Sequence, residues 1–152
     1  MKVKDIMTAE PRTCAPETSA AAAAQLMWDG DCGVLPVVDA GRLVGVVTDR
    51  DLYIALATQN RLASDVAVGE IATRDVITCE PEDDIHHVLD AMKAHRVRRL
   101  PVVGFGSTVL GIVSIDDVVC AAGPRRIVSH QQVIETLQGI YRAHHDPHIV
   151  AV

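Results

Sequence analysis

At 152 residues with a formal charge of −6, the chain has room for one compact domain or two small halves, and it lacks the basic face a sequence-independent nucleic-acid binder needs. Aromatic residues make up only 3%, so stacking platforms for single strands are missing and the core must be built from Val, Leu, Ile, Ala and Met. No apolar run approaches a membrane span, and no long apolar stretch follows the opening Met1-Lys2-Val3-Lys4-Asp5-Ile6-Met7; neither membrane anchor nor secretory signal is expected, and the expected compartment is the cytoplasm.

In chain order, Arg12–Cys14 reads as a short β segment, and Pro16-Glu17 as a turn into a helix for which Thr18 is a candidate N-cap. The run Ala20–Ala24 suits that helix, alanine being the best helix former. It either covers the sheet and meets a dimer partner, or is a core helix with an exposed alanine face. Val34–Asp39 and Arg42–Val47, divided by Ala40-Gly41, read as a strand pair. A second helix follows Thr48, whose hydroxyl can cap it.

From there the pattern starts again. Val76–Cys79 is a β segment, and Asp83 or Asp84 caps a helix with Ile85, Val88, Leu89 and Met92 on one stripe. Leu100–Val103 and Val109–Val113 pair around Gly104-Phe105-Gly106, and Ser114 opens a closing helix. Thr13-Cys14-Ala15-Pro16-Glu17 returns 65 residues later as Thr78-Cys79-Glu80-Pro81-Glu82, and Leu35-Pro36-Val37-Val38 as Leu100-Pro101-Val102-Val103. After one inserted residue, Gly45-Val46-Val47-Thr48 matches Gly111-Ile112-Val113-Ser114, and Asp51 matches Asp117. The division is therefore a first repeat over 1–62, a second over 63–122, and a C-terminal extension over 123–152. Halves of about 60 residues bury too little surface to stand comfortably alone. They are expected to pack sheet to sheet with pseudo-twofold symmetry, leaving two equivalent clefts as ligand sites.

The third strand of each copy ends Gly-apolar-apolar-[Ser/Thr]-x-x-Asp: Gly45 to Asp51 and Gly111 to Asp117. A hydroxyl at a strand-to-helix junction sits beside free N–H groups, a natural phosphate seat. A carboxylate one turn on offers two acceptor oxygens to a ribose diol. The glycine lets a flat base or another backbone approach closely. Helix capping alone would also account for Thr48, Ser114 and the two aspartates.

Pro36-Val37-Val38-Asp39 followed by Gly45-Val46-Val47-Thr48-Asp49-Arg50-Asp51 resembles the cystathionine-β-synthase (CBS) domain family, as do Lys4-Asp5-Ile6-Met7 and the second copy. The resemblance covers roughly residues 2 to 122. It implies an α/β (α+β) tandem pair of β-α-β-β-α repeats, here with an added C-terminal helix. It also implies a non-catalytic module that binds AMP, ADP, ATP, NAD or S-adenosylmethionine, with AMP foremost, regulates an effector protein and assembles as a homodimer. By that resemblance Asp51 and Asp117 hold the ribose and Thr48 and Ser114 lie on the phosphate side. Ile6-Met7 flank adenine in the second cleft and Ile71-Ala72 in the first. Arg98 and Arg99 match positions where the family often places basic residues for phosphates; their counterparts Gly33 and Val34 are uncharged, so the Asp117 cleft is expected to favour a phosphorylated ligand. The competing class is a dimerisation or scaffolding module with empty clefts.

Other signals are weaker. Cys14, Cys32, Cys79 and Cys120 include no Cys-x-x-Cys pair and read as small buried apolar residues. Lys2, Lys4 and Lys93 are poor Schiff-base candidates, and Gly-x-Ser-x-Gly and Walker motifs are absent, so no enzyme is expected. His86-His87 is expected at the surface. Ser129-His130-Gln131-Gln132 resembles a capping box ahead of a helix with Val133, Leu137 and Ile140 on one stripe. His144, His145 and His148 are read as a frayed tail rather than a metal site.

Overall fold

The structure, a computed structural model, describes residues 1–124 and 126–142. In chain order its elements begin with β1 (Thr8–Ala9), α1 (Ala20–Asp29), β2 (Val34–Asp39), β3 (Arg42–Thr48), α2 (Asp49–Gln59) and α3 (Val68–Ile71). They continue with α4 (Ile85–His95), β4 (Arg99–Val103), β5 (Val109–Ser114), α5 (Ile115–Ala121) and α6 (His130–Tyr141). Two compact units draw on alternating segments of the chain. The first-copy unit holds Glu10–Val76 and Val103–Leu110; the second-copy unit holds Met1–Ala9, Ile77–Val102 and the chain from Gly111 onward.

In the first-copy unit, α1 starts at Ala20, so its cap falls on Ser19, whose hydroxyl accepts the Ala22 N–H at 3.2 Å. The predicted cap, Thr18, instead closes the preceding turn by accepting the Ala15 N–H at 3.0 Å. The second-copy unit divides the same work between neighbours. Asp83 accepts the Glu80 N–H at 2.8 Å, and Asp84 caps α4 by accepting the His86 N–H at 2.9 Å.

Strands β2 and β3 pair antiparallel from Val34↔Thr48 to Asp39↔Arg42 around a left-handed Ala40-Gly41 turn, which suits the twist of a hairpin. Arg12–Cys14 and Val76–Cys79 are not the predicted strand segments: each contributes one parallel bridge, Cys14 to Val37 and Cys79 to Val102. The reason is proline. Around Cys14, the next ladder bonds in either direction would need N–H groups from Pro16 and Pro36, and around Cys79 from Pro81 and Pro101, none of which has one.

Each unit closes over its own aliphatic core. Cys14, Ala20, Ala23, Met27, Leu35, Val37, Val47, Leu52, Val66 and Val68 fill the first. In α1 the alanines split by face: Ala20 and Ala23 are buried, while Ala21, Ala22 and Ala24 are exposed. In the second-copy unit, where the sheet order is β1-β5-β4, the whole predicted stripe Ile85, Val88, Leu89 and Met92 is buried. Complete burial of one such side chain contributes about 1.5–3 kcal/mol.

Helix α6 packs on α4 and α5 through Val133, Thr136 and Ile140, with Leu137 half-buried. A side chain at Gly139 would lie 2.8 Å from Lys93 Cγ, so the glycine admits α4 at close range. The histidines at 144, 145 and 148 lie outside the described residues. Among the described residues no helix is long and apolar enough to cross a membrane.

The cysteines do not share one environment. Cys14 and Cys79 are buried, and desolvation pushes their thiols up to about 11 and about 12, with Asp83 adding to the second. Cys32 is half-buried and Cys120 is exposed, so the expectation of four small buried residues holds for two.

Candidate functional site

Both strand-to-helix junctions are built the same way. Thr48 donates its backbone N–H at 2.8 Å and its hydroxyl at 2.7 Å to Asp51 Oδ2, and its oxygen accepts the Asp51 N–H at 3.2 Å. Ser114 and Asp117 repeat this at 2.7, 2.6 and 3.1 Å. These are reciprocal capping boxes, which a helix start favours with or without a ligand. They commit one oxygen of each carboxylate and fix its orientation. Oδ1 accepts no hydrogen bond among the described residues and stays available to an outside donor. Because the hydroxyl protons already go to the carboxylates, Thr48 and Ser114 meet an anion here through a lone pair rather than a donor.

The glycine of each motif answers to backbone. A Cβ on Gly45 would lie 2.9 Å from the Thr73 carbonyl oxygen and 3.4 Å from Ala72 Cβ. On Gly111 it would lie 2.8 Å from Met7 Sδ and 2.9 Å from the Thr8 carbonyl oxygen. The segment crossing each glycine pairs with the next residue of the strand, Thr73 with Val46 and Thr8 with Ile112. Ile71 and Ala72 thereby come against the core of the unit that carries Thr48 and Asp51. Ile6 and Met7 come against that of Ser114 and Asp117.

Charge separates the two junctions. The Arg98 carbonyl accepts the Ile115 N–H at 2.9 Å, tying the start of β4 to the start of α5, and its side chain is exposed. Arg99 Nη2 lies 3.5 Å from Asp116 Oδ2, with side-chain exposures of 35% and 74%, a loose surface pair. Asp116 escaped the sequence reading; its signal was an acidic residue where the first copy has Arg50. In the first copy the Gly33 carbonyl accepts the Asp49 N–H at 3.2 Å. A Cβ at Gly33 would lie 2.9 Å from Asp49 Oδ2, so a carboxylate occupies space that a longer side chain would need. Beside it opens a hollow of about 460 Å³ lined by Trp28, Asp31, Gly33, Asp49 and Leu52, none of them predicted for the site.

Proteins of known sequence and structure share this architecture. The family model for the CBS domain matches residues 3–58 and 68–123, and the chain belongs to that family, as a tandem pair. It is 34% identical over 115 residues to the CBS domain-containing protein YhcV of Bacillus subtilis (strain 168), covering 76% of this chain and 81% of that one. It is also 34% identical over 117 residues to an L-aspartate semialdehyde sulfurtransferase of Methanocaldococcus jannaschii, but spans only 22% of that enzyme. Among solved structures, the CBS domain pair of protein MJ0100, in complex with 5′-methylthioadenosine and S-adenosyl-L-methionine, matches with a TM-score of 0.72 and 33% identity, over 79% of this chain and 94% of that one.

Proposed function

We propose that this chain is a non-catalytic regulatory module that binds an adenosine-containing ligand and passes its occupancy to an effector protein. The observation that carries the reading is the duplicated junction, in which Asp51 and Asp117 each present an unengaged Oδ1 fixed by its own capping box. That oxygen accepts from a ribose hydroxyl. Arg98 and Arg99, with Ile6 and Met7, make the Ser114–Asp117 seat the one for a phosphorylated ligand, AMP before ADP, ATP or NAD. The Thr48–Asp51 seat, with Ile71 and Ala72, has Asp49 where the other has Ile115 and suits an uncharged or cationic adenosyl group such as that of S-adenosylmethionine. Support comes from the MJ0100 pair, whose two ligands are both adenosyl compounds. We keep the repeat division at 1–62, 63–122 and 123–152, a homodimeric assembly and a cytoplasmic location as parts of the same reading.

A scaffolding module with empty seats is the second reading. The capping boxes favour it, since they account for Thr48, Asp51, Ser114 and Asp117 without a ligand. A thermal-shift panel of AMP, ADP, ATP, NAD, S-adenosylmethionine and 5′-methylthioadenosine separates the two. A ligand at 100 times its dissociation constant stabilises by about 2.7 kcal/mol. A shift with one or more compounds supports the sensor, and no shift with any supports the scaffold.

A further inference from the structure

Helix α6 is tied to α4 by a polar contact as well as by its apolar stripe. Gln132 Nε2 and His86 Nδ1 are 3.3 Å apart. Which end of the amide faces the ring is fixed by the start of α6: Gln132 Oε1 accepts both the Ser129 N–H at 2.9 Å and the Ser129 hydroxyl at 3.1 Å. The NH₂ group therefore points at the imidazole. A neutral ring protonated on Nε2 offers Nδ1 as an acceptor, and the contact is a hydrogen bond; a doubly protonated ring sets donor against donor. Turning the amide over would relieve that clash only by facing its NH₂ toward the Ser129 N–H and dismantling the cap.

We infer that α6 is a latch opened by acid, with His86 as the proton sensor and the Ser129–Gln132 capping box as the element that prevents accommodation. A hollow of about 320 Å³, lined by His86, Leu89, Asp90, Lys93, Gln132, Glu135 and Thr136, runs along the seam and opens beside the ring. The latch belongs to one copy only. Sixty-five residues before His86 stands Ala21, exposed on α1. Leu89 and Lys93 line the seam under α6, whereas their counterparts Ala24 and Trp28 line the open hollow of the first-copy unit. Release of α6 would uncover in the second copy the kind of face that the first already presents. The device does not depend on a nucleotide being bound.

The charges around His86 come from three segments. On α4, Asp84 accepts the His86 N–H, which holds its carboxyl below the usual range, and Asp90 pairs with Lys93 at 2.9 Å; His87 is adjacent. On α6, Glu135 is held by Gln131 at 2.9 Å, and His130 lies in the first turn. From the N-terminal segment, the Met1 ammonium lies 3.8 Å from Asp84, with Lys2 next in the chain. The carboxylates favour an imidazolium and offer it another partner once Gln132 opposes it. Lys93, the Met1 ammonium and the N-terminal end of α4 oppose protonation. Docking of α6 and protonation of His86 are then antagonistic, and protection of α6 falls as the solution is acidified.

Hydrogen exchange of the α6 amides in the full chain, corrected for intrinsic rate and compared between pH 7.5 and 5.5, tests this. The wild type should lose about tenfold in α6 protection relative to β5, the worth of one such bond. His86→Asn, which keeps an acceptor and cannot titrate, should show no such pH dependence. Gln132→Glu keeps the cap acceptor but places a carboxylate beside the ring, and should reverse the sign, protecting α6 more at pH 5.5. A wild-type α6 whose protection follows β5 at both pH values overturns the latch, as does a folded Gln132→Glu that shifts in the wild-type direction.

Discussion

The first and second copies share a set of buried positions and differ in what surrounds them. Cys14 and Cys79, Met27 and Met92, Leu35 and Leu100, Val37 and Val102, and Leu52 and Val118 are buried pairs at equivalent places. At the rim the pairs part company: Trp28 with Lys93, Asp31 with Arg96, Gly33 with Arg98, Val34 with Arg99. One surface is aromatic and acidic, with Trp28 at 82% exposure; the other is basic, with α6 packed on its first helix. Interior packing tolerates little change in volume, while surface positions are free to take new charge. The scaffold and the capping boxes are thus common to both copies, while the charge beside each junction is set by exposed rim residues such as Asp31, Arg96 and Arg98.

The sharpest way to break this comparison is to cut equivalent core residues. Leu35→Ala and Leu100→Ala should each destabilise by about 2–5 kcal/mol in urea unfolding. A much smaller cost in one copy would show that its core is not the match of the other. Next come the glycines. Gly45→Ala and Gly111→Ala both drive a methyl to 2.9 Å from a carbonyl oxygen, and each should cost about 1–3 kcal/mol. Near-neutral values would mean that the crossing segments do not hold Ala72 and Met7 against the strands.

Smaller effects sharpen the same picture. Ser19→Ala and Asp84→Ala each remove a helix cap and should lower stability by about 1 kcal/mol, whereas Thr18→Ala should cost less. If Thr18→Ala is the costlier, the cap assignment fails. The thiols give the finest comparison. Cys14 and Cys79 have thiols raised by burial to about 11 and about 12, so their neutral forms favour the fold. That contribution is complete below the unfolded-state pKa and is lost as pH rises through the folded values. At pH 8 in native buffer, Cys120 should react first with a thiol reagent, Cys32 more slowly, and Cys14 and Cys79 only on unfolding, which mass spectrometry of labelled peptides will read.

Much of this was legible in the sequence because duplication turns weak signals into paired ones. The stripe Ile85–Met92, the Ala40-Gly41 turn and the two hydroxyl–Asp motifs all follow from spacing and turn chemistry. What escaped depends on groups that meet only in space. Nothing local says that Ser19 rather than Thr18 caps α1, since both are cap residues and the choice waits on where helical dihedrals begin. The single-bridge segments at Cys14 and Cys79 follow from Pro16 and Pro81 nearby together with Pro36 and Pro101 on a different element. The pairing of Arg99 with Asp116 joins residues 17 positions apart, at the start of β4 and in the first turn of α5, and no periodicity announces it. The open Asp31–Asp49 hollow is likewise a product of the α1–α2 packing.

The central claim is that Asp117 grips a ribose whose phosphate lies by Arg98 and Arg99. Calorimetric titration of AMP into wild type, Asp51→Ala and Asp117→Ala tests it directly. Loss of one charged hydrogen bond lowers affinity by roughly 10- to 150-fold, and that loss is expected for Asp117→Ala, with Asp51→Ala close to wild type. AMP binding with wild-type affinity to Asp117→Ala would contradict the account.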